Sequence, residues 1–268
     1  TQAVVMPMDA FAFKELHLHR ELLAAWTVRT VRARYKQSVL GGLWAILQPA
    51  ATVAIFTVIF TLFIPIDTAN VPYVLFAYSA MAPWTFFSTA ITDMVDALTV
   101  NMNLVSKIYF PREVLPIAAM LARLLDFAIA ASVLLIIMLF YGWPILAASW
   151  VYLPLIVTVQ LALILGVGLI GAACNVFYRD VKHLFALGLQ IWLYATPIVY
   201  PITVVPEHLR WLYFLNPMAG IIEAYRAVLL QQQAPASTLV IAAIIAAFML
   251  AAGYLFFKRV EAQFADLV

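Results

Sequence analysis

Residues 127–178 read FAIAASVLLIIMLFYGWPILAASWVYLPLIVTVQLALILGVGLIGAACNVFY, fifty-two consecutive positions without one Asp, Glu, Lys or Arg. A helix that crosses a bilayer needs about 20 apolar residues, so the run is too long for one crossing and long enough for two. It divides at Tyr141-Gly142-Trp143-Pro144, where a helix-ending Gly and Pro sit beside aromatics of the kind that settle at membrane interfaces.

The same ruler applies outward along the chain. Charge-free intervals run from Gln37 to Ile66, Thr68 to Thr92, His183 to Pro206 and Ala227 to Phe257. Six spans are expected, at about 43–64, 73–92, 115–141, 150–176, 184–203 and 236–257. The fold class is all-α, a polytopic membrane protein forming one transmembrane domain over 1–268. Composition agrees: of 268 residues 66% are hydrophobic and 10% charged, against roughly 25% charged in a soluble domain. One core of this size cannot hide that much apolar surface from water. A net charge of +2 with no clustered basic face argues against a nucleic-acid partner. Cys174, the single cysteine, excludes a disulfide framework and reads as a small buried hydrophobe.

Basic residues orient the spans, because Lys and Arg collect in cytoplasmic loops. Lys14, Arg20, Arg29, Arg32, Arg34, Lys36, Lys107, Arg112, Arg179, Lys182, Lys258 and Arg259 all fall on one expected side, and only Arg210 and Arg226 fall on the other. Both termini are therefore expected in the cytoplasm. The first apolar run is too long for a signal-peptide core, so no cleaved leader is expected.

Three segments are not simple spans. The arm over about 14–37 places Leu18, Leu22, Ala25 and Trp26 on one stripe among basic residues, which predicts an amphipathic helix at the membrane surface facing lipid phosphates. After span 2, Met94, Leu98, Met102, Val105 and Tyr109 repeat at helical steps up to Pro111, predicting a separate cytoplasmic helix, and Asp93 and Asp96 suit its positive end. Between spans 5 and 6, Asn216-Pro217 starts a helix with Glu223 and Arg226 three apart. The apolar stretch 207–230 predicts re-entrant helices on the outer side, acting as a gate or packing as a plain loop.

Enzyme motifs are weak. Gly166-Val167-Gly168-Leu169-Ile170-Gly171 matches the dinucleotide pattern letter for letter, yet it lies inside a membrane span rather than at a strand-to-helix turn. Its small residues, Gly168 and Ala172 in particular, predict close helix packing. No phosphate-binding G-x-x-x-x-G-K-[ST] occurs, so any ATP hydrolysis belongs to another subunit. The four histidines are scattered and form no metal or catalytic set. Arg123 and Asp126 are the only charges deep inside a span, three apart on one face, and predict an intramembrane pair that is either structural or a coupling element. Such a pair predicts that exchanging the two charges is tolerated better than neutralising either. The aromatics Tyr73, Tyr78, Trp84 and Phe87 of span 2, with Trp192, Tyr194 and Tyr200 of span 5, suit sliding contact with sugar faces or an ordinary aromatic belt.

Several segments resemble one family. They are Arg34-Tyr35-Lys36-Gln37-Ser38-Val39-Leu40-Gly41 with Leu43-Trp44 and Gln48-Pro49, Lys107-Ile108-Tyr109-Phe110-Pro111-Arg112-Glu113, Asn175-Val176-Phe177-Tyr178-Arg179-Asp180-Val181, Thr196-Pro197-Ile198, and Asn216-Pro217. In this order they resemble the membrane subunits of ATP-binding-cassette exporters for bacterial cell-surface polysaccharides such as O-antigen, capsule and teichoic acid. The resemblance implies a non-enzymatic homodimer bound to two copies of a P-loop ATPase, which holds the ATP and magnesium while this chain carries no cofactor or metal. It implies a lipid-linked glycan moving between protomers. ATPase contact is implied at Arg32, Arg34, Lys36, Met94, Leu98, Met102, Lys107, Arg112, Arg179, Asp180 and Lys182, and the outer gate at 207–230. An exporter of small lipophilic molecules or oligosaccharides, a membrane enzyme, and a channel or scaffold subunit remain alternatives on the residues alone.

Overall fold

The structure is a computed structural model that describes residues 20–36, 43–63, 68, 71–105, 110–145 and 147–265. Its helices are α1 (Arg20–Tyr35), α2 (Trp44–Val58, extended by a π-turn Ile59–Phe63), α3 (Tyr73–Val100), α4 (Met102–Val105), α5 (Val114–Phe140), α6 (Leu153–Phe177), α7 (Val181–Tyr194), α8 (Glu207–Tyr213), α9 (Pro217–Leu229) and α10 (Thr238–Glu261). No strand occurs among the described residues.

Five helical segments are long and apolar enough to cross a membrane: Ile46–Phe63, Tyr73–Val100, Val114–Phe140, Ala148–Phe177 and Thr238–Phe264. They match the expected spans 1, 2, 3, 4 and 6. The expected fifth, 184–203, is helical only through α7, which has 14 residues and ends at Tyr194. Pro197 explains the stop, since it lacks an N–H and biases the residue before it away from helical angles. A charge-free interval measures apolar length, not helix length.

Span 2 also differs. The expected break at Asp93 is absent, and α3 continues to Val100. The spacing of Met94 and Leu98 is the buried stripe of that continuing helix, and both side chains are fully covered. The charge-free ruler ended the span too early because both acids are accommodated, Asp93 by arginines of other helices and Asp96 by the Asn175 amide, which donates to its Oδ1 at 3.4 Å.

α3 is the central element, most of it buried, with α5 and α6 against it. The turn at Tyr141-Gly142 forms as expected, with Gly142 at φ +64°, a left-handed conformation that glycine adopts without penalty. The false dinucleotide motif resolves into three packing notches. A Cβ on Gly166 would run into the backbone of Met249, and one on Gly253 into the Gly166 carbonyl, so α6 and α10 touch backbone to backbone. Gly168 makes room for Met94, and Gly171 for Val95 and Phe185. A buried polar bridge joins three helices: Gln160 Nε2 donates to the Pro83 carbonyl (2.8 Å) and its Oε1 accepts from the Tyr225 hydroxyl (2.9 Å). Asn175 donates to the Val95 carbonyl at 3.0 Å, fixing the end of α6 to α3.

Candidate functional site

Arg123 and Asp126 do not form an isolated pair. They complete a closed ring of four charges that joins α1, α3 and α5. Arg34 Nη2 lies 2.6 Å from Asp93 Oδ2 and its Nη1 lies 2.8 Å from Asp126 Oδ2. Arg123 reaches the same two carboxylates, with Nε 2.7 Å from Asp93 and Nη1 3.3 Å from Asp126. The Tyr35 hydroxyl donates to the other oxygen of Asp126. Burial, reinforced by that carboxylate, pushes the Tyr35 phenol above its ordinary range, which keeps it a donor.

Each charge in the ring has two opposite neighbours and a largely covered side chain. This arrangement offsets desolvation, which a single partly buried pair recovers poorly. Arg34, expected at the ATPase face, is thus turned inward. The three helices meet here because α1 lies across α5, where Arg123 and Asp126 share a face, while Asp93 sits in the unbroken part of α3.

Two grooves open on the ring. One, of about 580 Å³, has Tyr35, Trp44, Gln48, Phe86 and Phe127 in its wall. The other, of about 710 Å³, lies between α3 and α7 and has Ser88, Thr92, Gln190 and an edge of Trp84 in its wall.

Several of the aromatics expected in a channel pack into the core. Tyr73, Tyr78 and Phe87 are buried in the protomer core, so their ring faces are not open to a substrate. Tyr73 instead donates to the Val199 carbonyl at 2.9 Å, and Phe87 packs edge-on against Trp192. Side-chain size and hydropathy cannot tell a ring facing a core from one facing a lumen. Tyr194 is exposed, and Tyr200 shares a 2.6 Å hydrogen bond with Tyr213.

Among the residues expected to meet a partner, Arg32, Lys36, Arg179, Asp180 and Lys182 are exposed. Met94 and Leu98 lie in the core instead, and Met102 is half-buried against it. Lys107 lies outside the described residues. Arg112 turns back onto the chain end, where its backbone N–H donates to Glu261 Oε1 (3.1 Å), its guanidinium donates to the Glu261 carbonyl, and it stacks over Phe264.

Beside it stands a residue missed as a site: Glu113, 1% exposed, 2.7 Å from Lys258, which also holds Glu261 at 2.9 Å. Burial pushes the Glu113 carboxyl up, and the neighbouring Glu261 carboxylate adds to the effect. Lys258, which closes the last apolar interval, was the available signal.

In the expected gate, Asn216 caps α9 by accepting from the Met218 N–H at 3.0 Å and also accepts from Trp192 Nε1 at 2.7 Å. α9 is buried along most of its length. Arg226, 2% exposed, pairs with Glu223 at 2.9 Å, donates to the carbonyls of Pro197 (2.7 Å) and Ile198 (2.6 Å), and lies over the Phe76 ring at 3.7 Å. The segment after α7 is therefore clamped to α9.

Residues 21–230 match the family described as ABC-2 type transporter. A protein from Myxococcus xanthus named O-antigen export system permease protein RfbA is 32% identical over 262 residues, covering 95% of this chain and 98% of the relative. A Klebsiella pneumoniae protein of the same name is 31% identical, covering 77% and 79%. A polysialic acid transport protein KpsM from Escherichia coli is 28% identical, covering 74% and 77%.

Proposed function

The chain belongs to the ABC-2 type transporter family, and from that membership we propose that it is the membrane subunit of an ATP-driven exporter of a lipid-linked cell-surface polysaccharide. The observation that carries this reading is the likeness to an O-antigen export permease along nearly the whole of both chains. ATP hydrolysis falls to two copies of a separate P-loop ATPase, which supplies ATP and magnesium binding, and the permease itself works as a homodimer in the bacterial inner membrane. α7 and the clamped segment behind it serve as the short fifth span, with α8 and α9 as outer re-entrant elements and both chain ends in the cytoplasm.

In this reading α1 lies at the cytoplasmic membrane surface, where the exposed Arg32 and Lys36 meet phosphates or the ATPase and the inward Arg34 grips the spans. The ring then has a mechanical role. A push on α1 from the ATPase reaches α3 and α5 through charge contacts that resist shear, and so becomes a rigid-body shift of the helices bordering both grooves. Arg179, Asp180 and Lys182 form the second contact, at the tight turn between α6 and α7.

The test is deletion of the chain in its own host followed by re-expression. Polymer should accumulate inside the cell and return to the surface on re-expression. Normal surface polymer in the deleted strain would refute the reading.

A further inference from the structure

α3 carries Thr85, Ser88, Thr89 and Thr92 as a row along one side of the helix, spanning roughly 10 Å at 1.5 Å per residue. The protons of the last three are committed to the helix itself: Ser88 Oγ donates to the Thr85 carbonyl (3.2 Å), Thr89 Oγ1 to the same carbonyl (2.7 Å) and Thr92 Oγ1 to the Ser88 carbonyl (2.9 Å). A hydroxyl bonded in this way turns only lone pairs outward, so the row is a line of acceptors. Ser88, Thr89 and Thr92 border the groove between α3 and α7, and across it stands the exposed amide of Gln190. An amide facing hydrocarbon without a partner costs several kcal/mol, so this face looks onto water, a polar ligand or polar groups of the second protomer rather than onto lipid tails. The groove's charged end offers no free cation to an anion, because Arg123 is held by two carboxylates.

We propose that this row is the strip of the protomer on which the exported polymer runs, with successive sugar hydroxyls donating to Ser88, Thr89 and Thr92 while Gln190 donates and accepts from the other wall. The inference rests on the export reading and names the residues of this chain that touch the glycan. A polyhydroxylated chain is rich in donors, and a line of equivalent acceptors lets each bond be exchanged for the next at similar energy. Such a strip holds a moving polymer without trapping it. It replaces the core-packed Tyr73, Tyr78 and Phe87 as the sugar contact.

The test uses the full exporter in cells lacking their own copy. A triple variant, Ser88→Ala with Thr89→Val and Thr92→Val, keeps side-chain shape and removes the acceptors. The rate at which polymer reaches the surface should fall roughly tenfold, about what one or two lost hydrogen bonds give. Thr158→Val on α6, whose hydroxyl is also back-bonded but stands exposed beside Leu155 and Val151, should leave the rate unchanged.

In a second measurement, on inside-out membrane vesicles in a Cys174→Ala background, Ser88→Cys and Thr92→Cys should react with a charged, membrane-impermeant thiol reagent and be shielded in vesicles from cells making polymer, whereas Thr158→Cys should react only with a lipophilic maleimide. A triple variant exporting at the wild-type rate, or Ser88→Cys and Thr92→Cys reacting only with the lipophilic reagent, overturns the strip. If re-expressed wild-type chain itself restores no surface polymer, the export reading fails, and that outcome is distinct from wild type and triple variant exporting equally.

Discussion

Arg34 and Asp126 lie 92 positions apart in the chain and 2.8 Å apart in the structure. That contact closes the ring and changes what a charge exchange does. Within an isolated pair, exchanging Arg123 and Asp126 would preserve the attraction. In the ring it sets an Asp against Asp93 and an Arg against Arg34. The exchanged double variant should therefore be at least as damaged as Arg123→Gln or Asp126→Asn alone, each of which leaves a charge uncompensated at a cost of about 3–5 kcal/mol. A double-mutant cycle between Arg34→Gln and Asp126→Asn, read by thermal unfolding in detergent, should give a coupling of about 1–3 kcal/mol. Strict additivity would mean that the ring carries no shared energy.

Gly166 and Gly188 offer a contrast on two helices. Nothing lies within 4 Å of a Cβ built on Gly188, whereas one on Gly166 meets the Met249 backbone. Gly188→Ala should be neutral or stabilising by up to about 1 kcal/mol, the helix-propensity difference. Gly166→Val must pry α6 from α10 and should lower the folded yield several-fold on size-exclusion chromatography. Equal behaviour of the two variants would show that the close contact is not required.

Arg226 holds the stretch after α7 by two carbonyl hydrogen bonds and by the ring of Phe76. A lysine is a point charge without the planar fork, so Arg226→Lys should fail to restore what Arg226→Met loses. Ile198 is buried at 1% exposure, and a reporter Ile198→Cys should label slowly in the native background and at least several-fold faster with either Arg226 substitution. Unchanged labelling would place the restraint on Asn216 and Trp192 instead.

Much of the fold could be read from the sequence because spacing between charges sets apolar length directly, which is how the Gly142 turn and five of the spans were found. The site was less legible. Asp93 looked like a helix start because its partners, Arg34 and Arg123, come from other elements, and no local pattern encodes a contact across 59 residues. The Gly166 motif was recognisable as packing, but its partner Gly253 follows only from how α6 and α10 are juxtaposed. The span-2 aromatics misled for a related reason: periodicity shows that one side of α3 differs from another without showing which side meets a neighbour.

Glu113 gives a prediction in pH. Its carboxyl is pushed up by burial, so the native state holds that proton more tightly than the unfolded chain does. The contribution of such a group is fullest below the ordinary carboxylate range and declines as pH rises through the native value. Lys258, 2.7 Å away, offsets the decline by pairing with the ionised form. Removing that cation in Lys258→Met should therefore leave a protein close to wild-type stability at about pH 4 that loses melting temperature steadily toward about pH 7. Adding Glu113→Gln should flatten most of this slope, leaving the smaller part due to Glu261. Melting curves of the two variants across that range decide the matter: if the single variant shows no steeper pH dependence than wild type, Lys258 is not what keeps an ionised Glu113 tolerable at the foot of α5.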